Sequence, residues 1–464
     1  MSPVCASGRR FNAGLTGPRN QSVIMPSTLA ASLSSSLHGN VRVTGDKSIS
    51  HRALILGALA TGTTRISGLL EGEDVLAAGA ALRALGAGVE KQGEIWVVHG
   101  RGTGGLCKQA GELDFGNSGT GARLMMGVIA GQQVSVTFTG DASLSRRPMG
   151  RVLTPLKKMG LQVEGDGETL PLKLTGTGDL IPIEYELPVP SAQVKSAILL
   201  AGLHSPGRTA VLEKEQTRDH TERMLRHFGA QVDVEWRDRL THITVTGEAE
   251  LTGRNVTVPR DPSSAAFLVA AALVTEGSEL TVEGVLVNPT RTGFYTTLQE
   301  MGAALEFRNE REDGGEPVAD IQVSSGPLKG VTVPAGRAPS MIDEYPVLAA
   351  VAAFADGETR MEGLRELRVK ESDRLASTLA GLRACGVDAK AGEDWLAVRG
   401  GKPVPGGAKV ETHLDHRIAM AFLVLGLGSR KPVGVDDASV IATSFPEFAD
   451  LMRGIGADIR QSED

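Results

Sequence analysis

The chain has 464 residues, 41% apolar and 22% charged, with a formal net charge of −7. This is the composition of a soluble globular protein long enough for two or more domains. The acidic balance excludes a general nucleic-acid binder but not a local cationic pocket, and no apolar run is long enough to span a bilayer.

Cys5, Cys107 and Cys385 are too scattered for a disulfide framework or a metal cluster. They fit a reducing, cytoplasmic setting. No acidic residue precedes Asp46, while Arg9, Arg10, Arg19 and a serine run at Ser34 to Ser36 do. A transit peptide, a disordered extension and a chain that truly starts at Met25 all have this composition. The expectation is that residues 1–38 are a disordered extension with no function of their own.

The body begins at Gly45-Asp46-Lys47-Ser48-Ile49-Ser50-His51-Arg52, where a glycine turn delivers a lysine to the start of an apolar helix. Ser48 and Ser50 are candidate N-caps. Free N–H groups and the positive dipole end favour an anion there, and Lys47 and Arg52 add full charges. The glycine spacing is not that of a Walker A loop. Taken alone, basic residues at a helix start are also ordinary.

From this point one unit recurs six times: an apolar helix, a β-rich run, an amphipathic helix ending in glycine, then another strand. The apolar helices begin near Ala53, Ala122, Ala197, Ala266, Val347 and Ile418. The closing glycines are Gly86, Gly160, Gly229, Gly302, Gly386 and Gly456, each where a helix C-terminus needs a left-handed residue. All-apolar helices are expected inside and amphipathic ones outside. Two groups of three is the simplest partition, with a boundary near Val258-Pro259-Arg260-Asp261. The strand at Asn40–Gly45 then joins the C-terminal half. The expected lobes are residues 47–258 and residues 39–46 plus 259–464, with a cleft at a two-stranded hinge.

Polar residues that could do chemistry cluster at the starts of the apolar helices. Gly116-Asn117-Ser118-Gly119-Thr120-Gly121-Ala122-Arg123 offers backbone N–H groups and hydroxyls to an anion. Three arginines, Arg146, Arg147 and Arg151, crowd a helix expected to start at or just after Pro148, and at most one or two of them can enter a site. Ser191-Ala192-Gln193 opens another helix with polar donors. Asp343 and Glu344 precede a wholly apolar helix, so Asp343 is expected at a buried end where it needs a partner. On a helix, Lys370, Glu371 and Arg374 share one face, two cations around an acid. His413, Asp415 and His416 admit a metal reading, but no further ligand set follows at the right spacing, and Arg417 reads better as an anion contact.

Seven runs, GDKSISHR, GNSGTGAR, SLSRRPMGR, SAQVKSA, the Asp343 segment, RVKESDRL and LDHRIAM, stand in the order of one family. The chain resembles the 5-enolpyruvylshikimate-3-phosphate synthases from about Gly39 to its end. The resemblance implies an α/β (α+β) two-lobed enolpyruvyl transferase fold, an inside-out α/β barrel of six βαβαββ repeats. It also implies transfer of the enolpyruvyl group of phosphoenolpyruvate to the 5-hydroxyl of shikimate 3-phosphate, with no metal and no organic cofactor.

By the same resemblance, shikimate 3-phosphate is held by Lys47, Ser48, Arg52, Ser191, Ala192, Gln193, Arg218, Asp343 and Lys370. Phosphoenolpyruvate is held by Lys47, Gly119, Arg147, Gln193, Arg374 and Arg417. Asp343 takes the hydroxyl proton, with Lys47 at the reacting centre, and Glu371 or Lys370 protonates the methylene carbon. Ala192, Glu366 and Thr443 depart from the better-known branch of the family, toward a bacterial branch that includes glyphosate-insensitive members. Gly119 lacks the methyl that alanine would carry, so glyphosate is expected to fit and inhibit.

Three rivals stand beside this reading. The sister reaction on UDP-N-acetylglucosamine usually carries a cysteine in the loop at Asp141–Arg151, which has none here. RNA 3′-phosphate cyclase shares the repeat in architecture only. A non-catalytic repeat scaffold would want cations along its whole inner surface. No exposed apolar stripe demands a partner, so a monomer is expected, with no membrane contact.

Overall fold

The computed structural model describes residues 28–108, 110–165 and 168–462. Its helices alternate in chain order between an inner and an outer position: α1 (Lys47–Leu59), α2 (Glu73–Ala84), α3 (Gly119–Ala130), α4 (Gly150–Met159), α5 (Ala192–Gly202), α6 (His220–His227), α7 (Pro262–Val274), α8 (Gly293–Glu300), α9 (Tyr345–Ala352), α10 (Arg374–Ala384), α11 (His416–Leu427) and α12 (Phe448–Gly454). The odd-numbered helices are the apolar ones. Every residue of α7 and of α9 is buried, and each buried Leu or Val there contributes about 1.5–3 kcal/mol relative to exposure. The even-numbered helices bury one stripe. In α4 this is Val152, Leu153, Pro155, Leu156 and Met159, with Lys157 and Lys158 outside. The recurring glycine closes each outer helix in the left-handed region, at φ +105° for Gly86 and +121° for Gly160, where a Cβ would be strained.

Six four-stranded sheets cover the helices, all with one plan: a parallel edge pair, then two antiparallel pairings. Two early strands break the chain order. β2 (His38–Val41) runs parallel to the strand Glu279–Leu286 in the fourth sheet. β1 (Leu29–Ala31) lies between Val433–Val435 and Ile459–Gln461 in the sixth, antiparallel to both. The expected extension is therefore corrected from residue 28 onward. Leu29, Ala31 and Leu37 are fully buried, and the serines beside them hid an apolar strand too short to announce itself. The remainder of that expectation, residues 1–27, lies outside the described residues. No helix among the described residues is long and apolar enough to cross a membrane.

Two hydrophobic cores result. One runs from Ile49 to Val258; the other joins Leu29, Ala31, Leu37 and Val43 to side chains from Ala265 to Ile459. The chain passes between them at Thr44–Lys47 and at Val258–Asp261. These crossings pair with each other: Asp46 N donates to Pro259 O (2.8 Å) and Asp261 N to Thr44 O (3.0 Å). A Cβ at Gly45 would stand 3.1 Å from Val258 Cγ1 on the other crossing and 2.0 Å from Gly68 O, which runs beside them.

Candidate active site

The starts of α1, α3, α5 and α11 and the turn before α9 meet around a cavity of about 400 Å³ between the cores. Each start has a cap that satisfies part of its free N–H set. Asp46 caps α1 through Ile49 N (2.7 Å), which corrects the expected caps Ser48 and Ser50. Ser50 is instead buried and accepts from Leu70 N. Ser118, Ser191 and Asp415 cap α3, α5 and α11.

Lys47, Ser48, Gly119, Arg147, Ser191, Ala192, Gln193, Arg218, Asp343, Lys370, Glu371 and Arg417 all line this cavity. Lys47 pairs with Asp74. Gln193 donates to Thr120 Oγ1 (2.9 Å) and accepts from Arg123 Nη1 (2.7 Å). Of the crowded arginines, Arg147 is buried and turned inward, Arg146 is exposed, and Arg151 reaches across to Glu366 in two bonds of 3.0 and 2.9 Å. Arg147 Nη1 stands 3.6 Å from Glu371 Oε1. A Cβ on Gly119 would meet that same Nη1 at 2.9 Å.

Two expected contacts are set back from the lining. Arg52 is buried and spends its guanidinium on Thr221 Oγ1 (2.7 Å), Ser196 Oγ (2.8 Å) and Ser48 O (2.9 Å). Burial pushes it down to about 10, against the pull of Glu222 and Asp46. Arg374 is 1% exposed. It binds Asp415 (2.8 Å), Asp343 (3.0 Å) and Glu371 (2.5 Å). Lys370, Glu371 and Arg374 do meet, but not on one helical face. Asp373 caps Ala376 N, α10 starts only at Arg374, and Lys370 and Glu371 lie in the irregular segment before it.

Asp343 and Glu371 are the two carboxylates at the centre. Asp343 accepts from Arg218 (2.7 Å), Lys370 (3.2 Å) and Arg374 (3.0 Å). Burial works to raise its carboxyl, but Lys370, Arg417, Arg218 and Arg374 together hold it well below the usual range. Glu371 is held down in the same way, chiefly by Arg374 and Arg147 against its burial. Burial, with Lys47 and Arg417 nearby, pushes His416 well below its ordinary value, and His413 is exposed. Among the described residues, the cluster with metal-like spacing is Asp219, His220 and Glu316. Its oxygens already accept from Asn288 and Arg223.

Sequence reasoning passed over Arg123, which burial and Arg147 push down to about 10, although it stands in the quoted GNSGTGAR run. It also missed Asp74, the partner of Lys47, which stands in no quoted run, and it weighed Asp415 as a metal ligand, not as the partner of Arg374.

Residues 32–452 match the family described as EPSP synthase (3-phosphoshikimate 1-carboxyvinyltransferase). The chain belongs to the EPSP synthase family. It is 60% identical over 447 residues to the 3-phosphoshikimate 1-carboxyvinyltransferase of Parvibaculum lavamentivorans, covering 96% of this chain and 98% of that one. With the Cereibacter sphaeroides enzyme of the same name it shares 59% over 433 residues, 93% and 97% of the two chains. The solved EPSP synthase of Acinetobacter baumannii superposes with a TM-score of 0.83 at 44% identity, over 94% of this chain and all of that one. An enolpyruvyl transferase from Streptomyces tendae, at 19% identity and TM-score 0.75 over 94% and 99% of the two chains, shares the fold. The family's two-lobed α/β architecture is the one described above. The UDP-N-acetylglucosamine and scaffold readings fall away.

Proposed function

We propose that the cavity holds shikimate 3-phosphate and phosphoenolpyruvate side by side, between a lobe of residues 47–258 and a lobe of residues 39–46 and 259–464. The reaction is that of the EPSP synthase family. The enolpyruvyl group of phosphoenolpyruvate moves to the 5-hydroxyl of shikimate 3-phosphate, giving 5-enolpyruvylshikimate 3-phosphate and phosphate, a step of aromatic amino-acid biosynthesis.

In this reading Lys47, Ser48, Ser191, Ala192, Gln193, Arg218 and Lys370 receive the sugar phosphate, and Arg52 fixes Ser48 and Ser196 from behind. Phosphoenolpyruvate lies against Lys47, Gly119, Arg147, Gln193 and Arg417. Arg374 joins them once the ligand's anionic oxygens replace Glu371 and Asp343 on its outer nitrogens.

The observation that carries the proposal is the pairing of these cations with two site carboxylates: Arg218, Lys370 and Arg374 on Asp343, and Arg147 and Arg374 on Glu371. The carboxylates occupy the cations that two anionic substrates need. Substrate binding draws those cations away, and each carboxyl rises toward a working range. Asp343 then accepts the 5-hydroxyl proton as the new C–O bond forms, and Glu371 delivers a proton to the methylene carbon. The tetrahedral adduct loses a methyl proton and expels phosphate. Glu371 is assigned this step because its partners, Arg147 and Arg374, are the phosphoenolpyruvate cations, whereas Lys370 bonds Asp343 on the acceptor side. Closure of the lobes removes water and strengthens each charge interaction.

The same reading has the enzyme act as a cytoplasmic monomer, with glyphosate competing for the space beside Gly119. The test is phosphate release from phosphoenolpyruvate, with and without shikimate 3-phosphate, in wild type and Asp343→Ala. Release should require the sugar phosphate and collapse in the variant. Equal release by both proteins would overturn the assignment.

A further inference from the structure

Arg291 is buried where the two chain crossings meet, at the floor of the cavity, and no motif or resemblance pointed to it. Its Nη1 binds Asp46 Oδ2 at 2.9 Å, and its Nη2 lies 3.5 Å from Asp261 Oδ1. One guanidinium thus holds one carboxylate from each crossing. Those carboxylates are themselves helix caps. Asp46 accepts from Ile49 N in α1 (2.7 Å), and Asp261 accepts from Ser263 N in α7 (2.6 Å) and from Lys47 N (3.1 Å). The helix that presents Lys47 and Ser48 is therefore fastened at its first turn to Arg291's two partners.

The contacts continue the other way. Arg291 Nη2 donates to Ser263 Oγ (2.9 Å), and Ser263 Oγ donates to Glu344 Oε1. That same oxygen accepts from Arg417 Nη1 at 3.3 Å, and Arg417 Nη1 also donates to the Asp343 carbonyl at 3.2 Å. Arg291, Asp46, Asp261, Ser263 and Glu344 are all buried. In a low-dielectric interior a charged chain of this kind is sensitive to each of its links. An unbroken line of polar contacts runs from Arg417, through Glu344, Ser263 and Arg291, to the start of α1.

We propose that Arg291 is a positioning residue for the transfer reaction. It sets the angle between the lobes by clasping both crossings, and through Ser263 and Glu344 it ties the seat of Arg417 to the seat of Lys47. An anion on Arg417 takes charge from Glu344, which then leans on Ser263 and Arg291, and the clasp on Asp46 and α1 adjusts. By linkage, filling one seat changes affinity at the other. This inference rests on the assignment of Arg417 to phosphoenolpyruvate.

The experiment measures kcat, KM for phosphoenolpyruvate and calorimetric binding of shikimate 3-phosphate alone in Ser263→Ala, Ser263→Thr, Arg291→Lys and Arg417→Lys. Ser263→Ala breaks the relay but keeps both aspartate pairs. Its KM for phosphoenolpyruvate should rise at least fivefold while shikimate 3-phosphate binding stays within twofold, and Ser263→Thr should restore it. Arg291→Lys keeps the charge but loses the fork, and its kcat should fall at least tenfold. If that variant does not fold, the serine pair carries the test. Wild-type KM in Ser263→Ala, with a raised KM in Arg417→Lys, would overturn the relay and leave the site assignment standing. An unchanged KM in Arg417→Lys would overturn both.

Discussion

The two lobes are built on one plan and use it for opposite ends. In the lobe of α1, α3 and α5, the helix starts carry Lys47 and Ser48, Gly119 and Thr120, and Ala192 and Gln193, groups that donate to an anion. In the lobe of α7, α9 and α11, the caps and the turn before α9 hold Asp261, Asp343 with Glu344, and Asp415, the last followed by Arg417. Those carboxylates already sit on cations, Arg291, Arg374, Arg218, Lys370 and Arg417. A helix N-terminus favours negative charge in either case. Apart from Asp46, the cap of α1, the first lobe leaves that preference open, whereas the other fills it with its own carboxylates, among them Asp343, the proposed proton acceptor. The difference teaches that the fold supplies six equivalent sockets, and side chains at the first turn decide which bind and which react.

The contrast can be pressed hardest at Glu371. Glu371→Gln should lower kcat by roughly 10²–10⁴, the usual worth of a positioned acid, with shikimate 3-phosphate affinity within threefold. Equal loss in both would return Glu371 to a binding role.

Next comes a cation of the binding lobe that serves no ligand. Lys195, fully buried between Glu213 (3.1 Å) and Glu222 (2.7 Å), should cost about 3–5 kcal/mol of stability on Lys195→Met, since two buried carboxylates lose their partner. Urea unfolding measures this, and a midpoint shift of nothing would refute it.

Gly119→Ala tests the fit of the ligand socket, because the new methyl would stand 2.9 Å from Arg147 Nη1. KM for phosphoenolpyruvate should rise about tenfold, roughly 1.4 kcal/mol, and the glyphosate inhibition constant should rise further. Inhibition no tighter in wild type than in the variant would remove Gly119 from that role.

The smallest effect is expected at the cleft mouth. Arg151 and Glu366 join the lobes, but both are partly exposed, and such pairs are worth about 0.2–1 kcal/mol. Arg151→Gln should lower kcat/KM by about fivefold or less. A loss of a hundredfold would mean that Arg151 touches substrate.

Much of this was legible in the chain. The six apolar runs and the glycines at Gly86 and its counterparts announce inner and outer helices because burial and left-handed geometry leave few other residues possible at those places. The polar first turns announce the site for the same reason. What escaped depended on distance in sequence. β1 is three residues long and is a strand only because Val433–Val435 and Ile459–Gln461 accept it. Asp46 outcompeted Ser48 and Ser50 as the cap of α1 because Arg291, far along the chain, holds its carboxylate in place. Spacing puts Lys370 and Glu371 on a helix with Arg374, but α10 starts only at Arg374, since the Asp373 cap fixes the boundary. Arg52 and Arg374 stand behind the cavity lining, bonded to buried partners, and nothing in their motifs announces that placement. Local pattern reported which segments fold, and long-range ion pairs decided which charges remain free.

The division of labour between the lobes is tested most directly by calorimetric titration of shikimate 3-phosphate into Lys47→Met and Asp343→Asn. Lys47→Met should lose binding about a hundredfold or more. Asp343→Asn, inactive in phosphate release, should keep binding within tenfold of wild type. The opposite pattern, with binding lost on Asp343→Asn and kept on Lys47→Met, would contradict a binding lobe facing a proton-transfer lobe.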